Sequence, residues 1–252
     1  MNASSKTPSG DATEQAAVPA RPRSGGRLPS GRHGLPRAFV IENQRQRILD
    51  ALASAVAERG YAQTTVADVI GIAGVSRKTF YEQFSDKNDC FLAAYDEAVK
   101  QLYTGVESAY RSRQRWPEAV IAAIEAFLTG LSAEPEFARM ALVEVIRASD
   151  EALDRYYAAS HRFAALLDEG RDESPFADDL PEATAQIIIG GIAAVIVERL
   201  RAGQSDVREL LPGMATFALI PYIGVEAAKG EVAAAHEERA ARAYQGAGRS
   251  TF

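Results

Sequence analysis

One cysteine, Cys90, in 252 residues leaves no disulfide within the chain and no multi-cysteine zinc site. Histidine is almost as scarce. His33, His161 and His236 stand in three separate regions, none paired at the i, i+4 spacing of a helical metal site, so neither a metal nor a cofactor is expected. Long hydrophobic runs are missing too: the longest wholly apolar stretch, Ile187–Val197, has eleven residues, short of the roughly 20 a membrane-spanning helix needs. No apolar stretch of a secretory signal stands at the N-terminus. The expectation is a protein of the reducing cytoplasm with no membrane partner. A Ser-His-Asp set and a phosphate-binding loop are also absent, which argues against an enzyme or a carrier that does chemistry. Cys90, with apolar Phe91 beside it and no histidine near it in sequence, reads as an inert, partly buried thiol.

What is present is an ordinary globular composition, 47% hydrophobic and 25% charged, enough to bury at least one sizeable core. The net charge of −6 looks wrong for a nucleic-acid binder until it is divided along the chain. Residues 1–37 net +4, the first ninety net +3, and the remainder carries −9. The acid is in the C-terminal two thirds. Residues 1–36 hold five of the eleven prolines, five glycines and five serines, with few large aliphatics, so they cannot offset ordering entropy by burial and read as a disordered basic arm. Such an arm is either a minor-groove or phosphate contact or a solvated tail.

Beyond the arm the apolar spacing is helical throughout, and no strand pattern appears. Ile48, Leu49, Leu52 and Val56 form the stripe of a first helix from about 41 to 59, with Gly60 placed to cap it. Thr65-Val-Ala-Asp68 is a capping box opening a short helix over 66–73 that stops at Gly74. Ser76 caps a third helix, in which Phe80 and Phe84 face the core while Arg77, Lys78 and Tyr81 project elsewhere. Ser85 is placed to cap a long fourth, about 86–110. Further helices are predicted at 117–131, 135–148, 150–169, 181–202 and 207–220, with Pro221 ending or kinking the last. Residues 230–252 lack a broad apolar face and read as a tail, frayed helix and then a free end.

Two short helices joined at Gly74, with a longer helix behind, are the arrangement of a helix-turn-helix reader. Ser76, Arg77, Lys78, Thr79 and Tyr81 supply the hydroxyls and cations that hydrogen-bond base edges and phosphates. The same stretch resembles the tetracycline-repressor (TetR) family. The resemblance is carried by Ile48-Leu-Asp-Ala through Ala57-Glu-Arg-Gly-Tyr61, Thr64-Thr-Val-Ala-Asp68, Ala73-Gly-Val-Ser76, Lys78-Thr-Phe-Tyr81 and Phe84-Ser-Asp-Lys87, over about residues 41–100. Gln83 and Asn88 depart from it, standing where the family commonly has His and Glu.

The resemblance implies an all-α homodimer with an N-terminal three-helix helix-turn-helix domain and a C-terminal helical ligand-binding and dimerisation domain. Mapped here, the expected division is a basic arm at 1–36, the DNA-binding domain at 37–103, the regulatory and dimerisation domain at 104–229 and a tail at 230–252. It further implies phosphate contacts from Thr64 or Thr65, Tyr81 and Lys87, leaving Arg77, Lys78 and Thr79 to meet bases; which of Arg77 and Lys78 enters the groove stays open. In the family the last two long helices form a four-helix dimer bundle, which assigns Ile188, Ile192, Val195, Ile196, Leu210, Met214 and Phe217 to a dimer interface. The Ile187–Val197 run points the same way, because a helix apolar all round needs cover on every side and Gly190 and Gly191 suggest a close backbone approach. Trp116, Phe127, Phe137, Met140 and Phe163 are candidates for an effector cavity, each of them equally a core residue. The expected function is a dimeric regulator binding a palindromic double-stranded DNA operator, most readily a repressor released by a lipophilic small-molecule effector. An architectural DNA binder without effector is the alternative.

Overall fold

The computed structural model describes residues 36–247, with side chains through 241. The expected basic arm therefore falls outside the described residues up to position 35, as do residues 248–252. Among the described residues the chain is helical without strands. The first part comprises α1 (Arg37–Arg59), α2 (Val66–Ala73), α3 (Arg77–Tyr81) and α4 (Lys87–Arg111). The rest follows as α5 (Trp116–Ala133), α6 (Pro135–Arg139), a one-turn π-helix (Met140–Glu144), α7 (Val145–Ala148), α8 (Asp150–Asp168), α9 (Thr184–Arg201), α10 (Leu211–Ile223) and α11 (Val225–Ala247).

Local chemistry sets most of these boundaries. Gly60, at φ +81°, ends α1 and returns its amide to the Val56 carbonyl. The capping box at Thr65 and Asp68 is present in both directions, and Gly74, left-handed at φ +60°, closes α2. Ser76 caps α3 through the Thr79 amide. Helix α4 is capped by Asp86, whose carboxylate accepts from the Asp89 amide at 2.8 Å, and not by Ser85. Ser85 instead donates its own amide to Asp89. A carboxylate one position on wins the role because it accepts more strongly and complements the helix's positive end.

Two hydrophobic cores result. The first gathers Ile48, Leu52 and Val56 of α1 around Val69, Phe80, Phe84 and Phe91, and draws in Phe137, Met140 and Val145 from the later helices. The second is built from α4, α5, α8, α9, α10 and the buried face of α11, with Leu128, Ile196, Leu219 and Tyr222 at its centre. Trp116 packs on Tyr222 at 5.0 Å and lies directly over Gly170, where any Cβ would overlap the indole.

Several expectations change in detail. The helix predicted over 135–148 is interrupted by the π-turn, α9 begins at Thr184 rather than 181, and α10 starts after a 3-10 turn at Arg208–Leu210. Pro221 does not end α10: the helix runs on to Ile223 and stops at Gly224, φ +82°. The predicted tail is, through Ala247, the continuation of α11. Ala228 buries that helix, Arg239 reaches Glu125 at 3.0 Å, and Glu231 pairs with Arg115. A narrow stripe of Ala228, Val232 and Ala235 together with these ion pairs docks the helix without a broad apolar face.

Candidate nucleic-acid interface

The reader is assembled from short-range caps and aromatic contacts and from longer-range ties to α1, α4 and the π-turn. Phe80 is fully buried and meets Phe84 at 5.7 Å, so α3 is pinned by one face and presents the other. Arg77, Lys78 and Ser76 lie exposed on that outer face, Thr79 is half-buried, and Tyr81 stands 50% exposed, edge-on to Phe80. Lys78 is 3.8 Å from Glu82 in an i, i+4 pair that leaves its side chain open to water. The Ser76 and Thr79 hydroxyls are 2.9 Å apart, so they bond one another as well as the cap. Behind the turn, Arg47 of α1 donates to the carbonyls of Ala73 and Gly74, tying α1 to the turn between α2 and α3. Arg45 lies over the Phe84 ring at 4.7 Å.

The phosphate candidates divide. Thr65 is exposed but already bonded to Asp68, whose carboxyl is held below the usual carboxylate range chiefly by that hydroxyl. Thr64 is 2% exposed and turns its hydroxyl to the Gly60 carbonyl, so of the two threonines it is the one withdrawn from any DNA face. Lys87 also departs from expectation. Its ammonium donates to the Tyr61 carbonyl at 2.8 Å and the Thr64 carbonyl at 2.9 Å and sits 4.0 Å above the Tyr61 ring. Two of its three donors thus tie α4 to the turn before α2, and burial pulls its pKa below the ordinary lysine value. Arg47, Arg45 and Glu144, which accepts from the Tyr61 amide at 2.9 Å, touch the reader through contacts that sequence reasoning did not find. Their partners lie 26 to 83 positions away, where no spacing rule reaches.

The dimer candidates split by face. Ile188, Ile192, Ile196 and Met214 are buried within the protomer, and Leu210 packs partly buried against the same core. They are core, not free interface, because one face of α9 already lies on its own chain. The opposite face is open: Ile187 is 65% exposed, Phe217 53% and Val195 41%, with Gly190, Gly191 and Ala194 exposed between them. A Cβ at Gly190 would meet nothing, so no backbone approach within the protomer explains that glycine.

An apolar cavity of about 90 Å³ lies among α4, α5, α8, α9 and the π-turn. Of the cavity candidates it brings together Phe127 and Phe163, whose rings meet edge-on at 5.3 Å, alongside Leu142, Tyr156 and Ala193. Trp116 belongs to the packing beside Gly170, while Phe137 and Met140 fill the first core; none of the three lines the cavity. A neighbouring void of about 40 Å³ shares Ile124, Leu166, Ile189 and Ile192 with it. Cys90 is fully buried and burial pushes its thiol pKa upward, the state of an inert side chain. No group of histidine, cysteine and carboxylate able to hold a metal occurs among the described residues, and none of their helices is long and apolar enough to cross a membrane.

A buried-anchor helix-turn-helix on an all-helical body defines a DNA-binding regulator. Residues 48–94 match the family described as bacterial regulatory proteins, tetR family. The chain is 26% identical over 181 residues to the HTH-type transcriptional activator FasR of Mycolicibacterium smegmatis, covering 71% of this chain and 80% of that protein. It is 29% identical over 168 residues to the HTH-type transcriptional regulator EthR of the same organism, covering 62% and 72%. Among solved structures, the fold is similar to the fatty acid degradation regulator FadR from Bacillus halodurans, with a TM-score of 0.64 at 21% identity over 70% of this chain and 94% of that one. It is also similar to FadR from Bacillus subtilis in complex with stearoyl-CoA, TM-score 0.61, 20% identity, covering 69% and 97%. Residues 48–94 thus carry a DNA-binding region of the tetR type, and the chain is a DNA-binding transcriptional regulator.

Proposed function

We propose that this regulator acts in the cytoplasm as a homodimer on a palindromic operator and is released by an uncharged or largely apolar small molecule, repressing wherever that operator overlaps a promoter. Residues 37–103 form the reader and 104–229 the regulatory and dimerising part. Arg77, Lys78 and Thr79 meet bases, while Ser76, Thr65 and Tyr81 meet phosphates. The observation that carries the dimer is the uncovered stripe of Ile187, Gly190, Gly191, Ala194 and Val195 beside Phe217. These positions recur at helical spacing, and a self-complementary apolar face of this kind is buried most simply by its own two-fold copy. A two-fold pair sets its recognition helices about one DNA turn, ~34 Å, apart, and a modest change in their separation breaks simultaneous docking.

The cavity supports the ligand class: its lining carries no charged side chain, only the polar atoms of Tyr156 and Ser160. At about 90 Å³ it is smaller than the ~150 Å³ that takes up benzene, so a ligand of any length must push its walls apart or open the adjoining void. Stearoyl-CoA in the Bacillus subtilis neighbour is consistent with an acyl chain as such a ligand. Saturating the purified protein with 1-decanol is expected to raise its Tm and to weaken its hold on a duplex selected from a random library. Phe217→Glu with Val195→Glu should give monomers in sedimentation. A stable dimer in that double variant, or decanol and duplex binding without mutual effect, contradicts the proposal.

A further inference from the structure

The π-turn Met140–Glu144 has the sequence Met-Ala-Leu-Val-Glu, with no proline or glycine. Nothing local calls for a widened turn in such good helix formers, so tertiary contacts impose it. Those contacts differ on its two sides. Leu142 faces one way and lines the apolar cavity. Glu144, two residues on and so across the helix, is 6% exposed and accepts the Tyr61 amide at 2.9 Å. Its Oε2 would lie 3.3 Å from a Cβ at Gly60, so the carboxylate fits closely under the turn that leaves α1.

That turn is held from two directions by opposite charges. Glu144 takes the Tyr61 N–H from the regulatory helices, while Lys87 of α4 gives hydrogen bonds to the Tyr61 and Thr64 carbonyls. The next residue, Thr65, is the cap of α2. Displacing one anchor while the other holds swings the turn instead of unfolding it, and α2 with α3 must follow. A π-turn suits such a role because its extra residue can move along the helix or be absorbed into α geometry, giving two discrete arrangements.

We propose that Glu144 is a positioning residue for the DNA reader and that the π-turn couples cavity occupancy to it: filling the cavity moves Leu142 and withdraws Glu144 from the Tyr61 amide. This rests on the ligand-responsive reading above.

The test uses the full chain and a duplex selected from a random library, measuring affinity and hydrogen exchange at the Tyr61 amide. Ala193→Phe fills the cavity from α9, and Ala193→Leu fills it less should the larger side chain prevent folding. Glu144→Ala is expected to weaken duplex affinity about tenfold and to expose the Tyr61 amide, with Glu144→Gln, whose amide oxygen still accepts, within about twofold of wild type. Filling the cavity should cost about tenfold in affinity with Glu144 present and no more than about twofold in Glu144→Ala. Equal losses in both backgrounds would overturn the coupling and leave ligand response standing. No loss from either filling variant in either background would overturn the cavity's role and the coupling together.

Discussion

The reader and the regulatory helices are both all-α, yet they are held by different means. In the reader, Thr65, Ser76 and Asp86 each bond an amide three residues ahead, and the helices they open rest on aromatic anchors and on polar ties from Arg47, Lys87 and Glu144. In the regulatory part, α5, α9 and α10 have no side-chain cap at their N-termini. Their positions come from apolar packing and from distant bonds such as Ser174 to the Tyr222 carbonyl of α10 and Arg139 to the Leu200 carbonyl of α9. Polar ties give a template whose geometry repeats on each binding event. Long-range apolar contacts tolerate a cavity and the movement of its walls.

Core substitutions test that contrast at its largest scale. Phe80→Ala removes the anchor of α3 and is expected to cost about 3–5 kcal/mol, abolishing duplex binding, as read by chemical denaturation and fluorescence titration. Loss of less than about 1 kcal/mol would mean that the caps alone hold the reader. Gly170→Ala acts only in the other core, where the new methyl meets Trp116. It should cost about 1–3 kcal/mol or more and shift the emission of the sole tryptophan to the red; an unchanged spectrum and denaturation midpoint would show that this core yields freely.

The caps give the smaller effects. Thr65→Ala is expected to destabilise by about 1 kcal/mol and to lower protection of α2 amides without altering the tryptophan signal. The linked pH effect follows from Asp68, whose folded pKa lies below the ordinary 3.8 mainly because Thr65 bonds its ionised form. Its contribution is present above that value and disappears as pH falls through the lowered one. Protection of α2 should therefore decline in acid in the wild type and change less in Asp68→Asn, followed by hydrogen exchange.

The same contrast explains what the sequence made legible. Helices α1 to α4 were readable to within a few residues because their boundaries are written in neighbours, Gly60, Thr65–Asp68, Gly74 and Ser76. Ser85 was the wrong choice beside Asp86 because both types cap and the spacing differs by one. The π-turn and the docking of α11 were not readable, since both depend on groups far along the chain: Glu144 and Tyr61 are 83 positions apart, Arg115 and Glu231 116. Apolar identity on α9 was readable, but its division into a buried face and an open one was not. An isoleucine looks the same in sequence whether its own chain or open water covers it.

The account's central claim, that paired copies of α3 read DNA, is met most directly by selecting duplexes from a random library with wild type, Arg77→Ala and Lys78→Ala. The wild type should enrich a two-fold symmetric site with half-sites about one helical turn apart, and each variant should relax preference at matching positions in both halves. Enrichment of no symmetric site, or identical preferences in all three proteins, would contradict it.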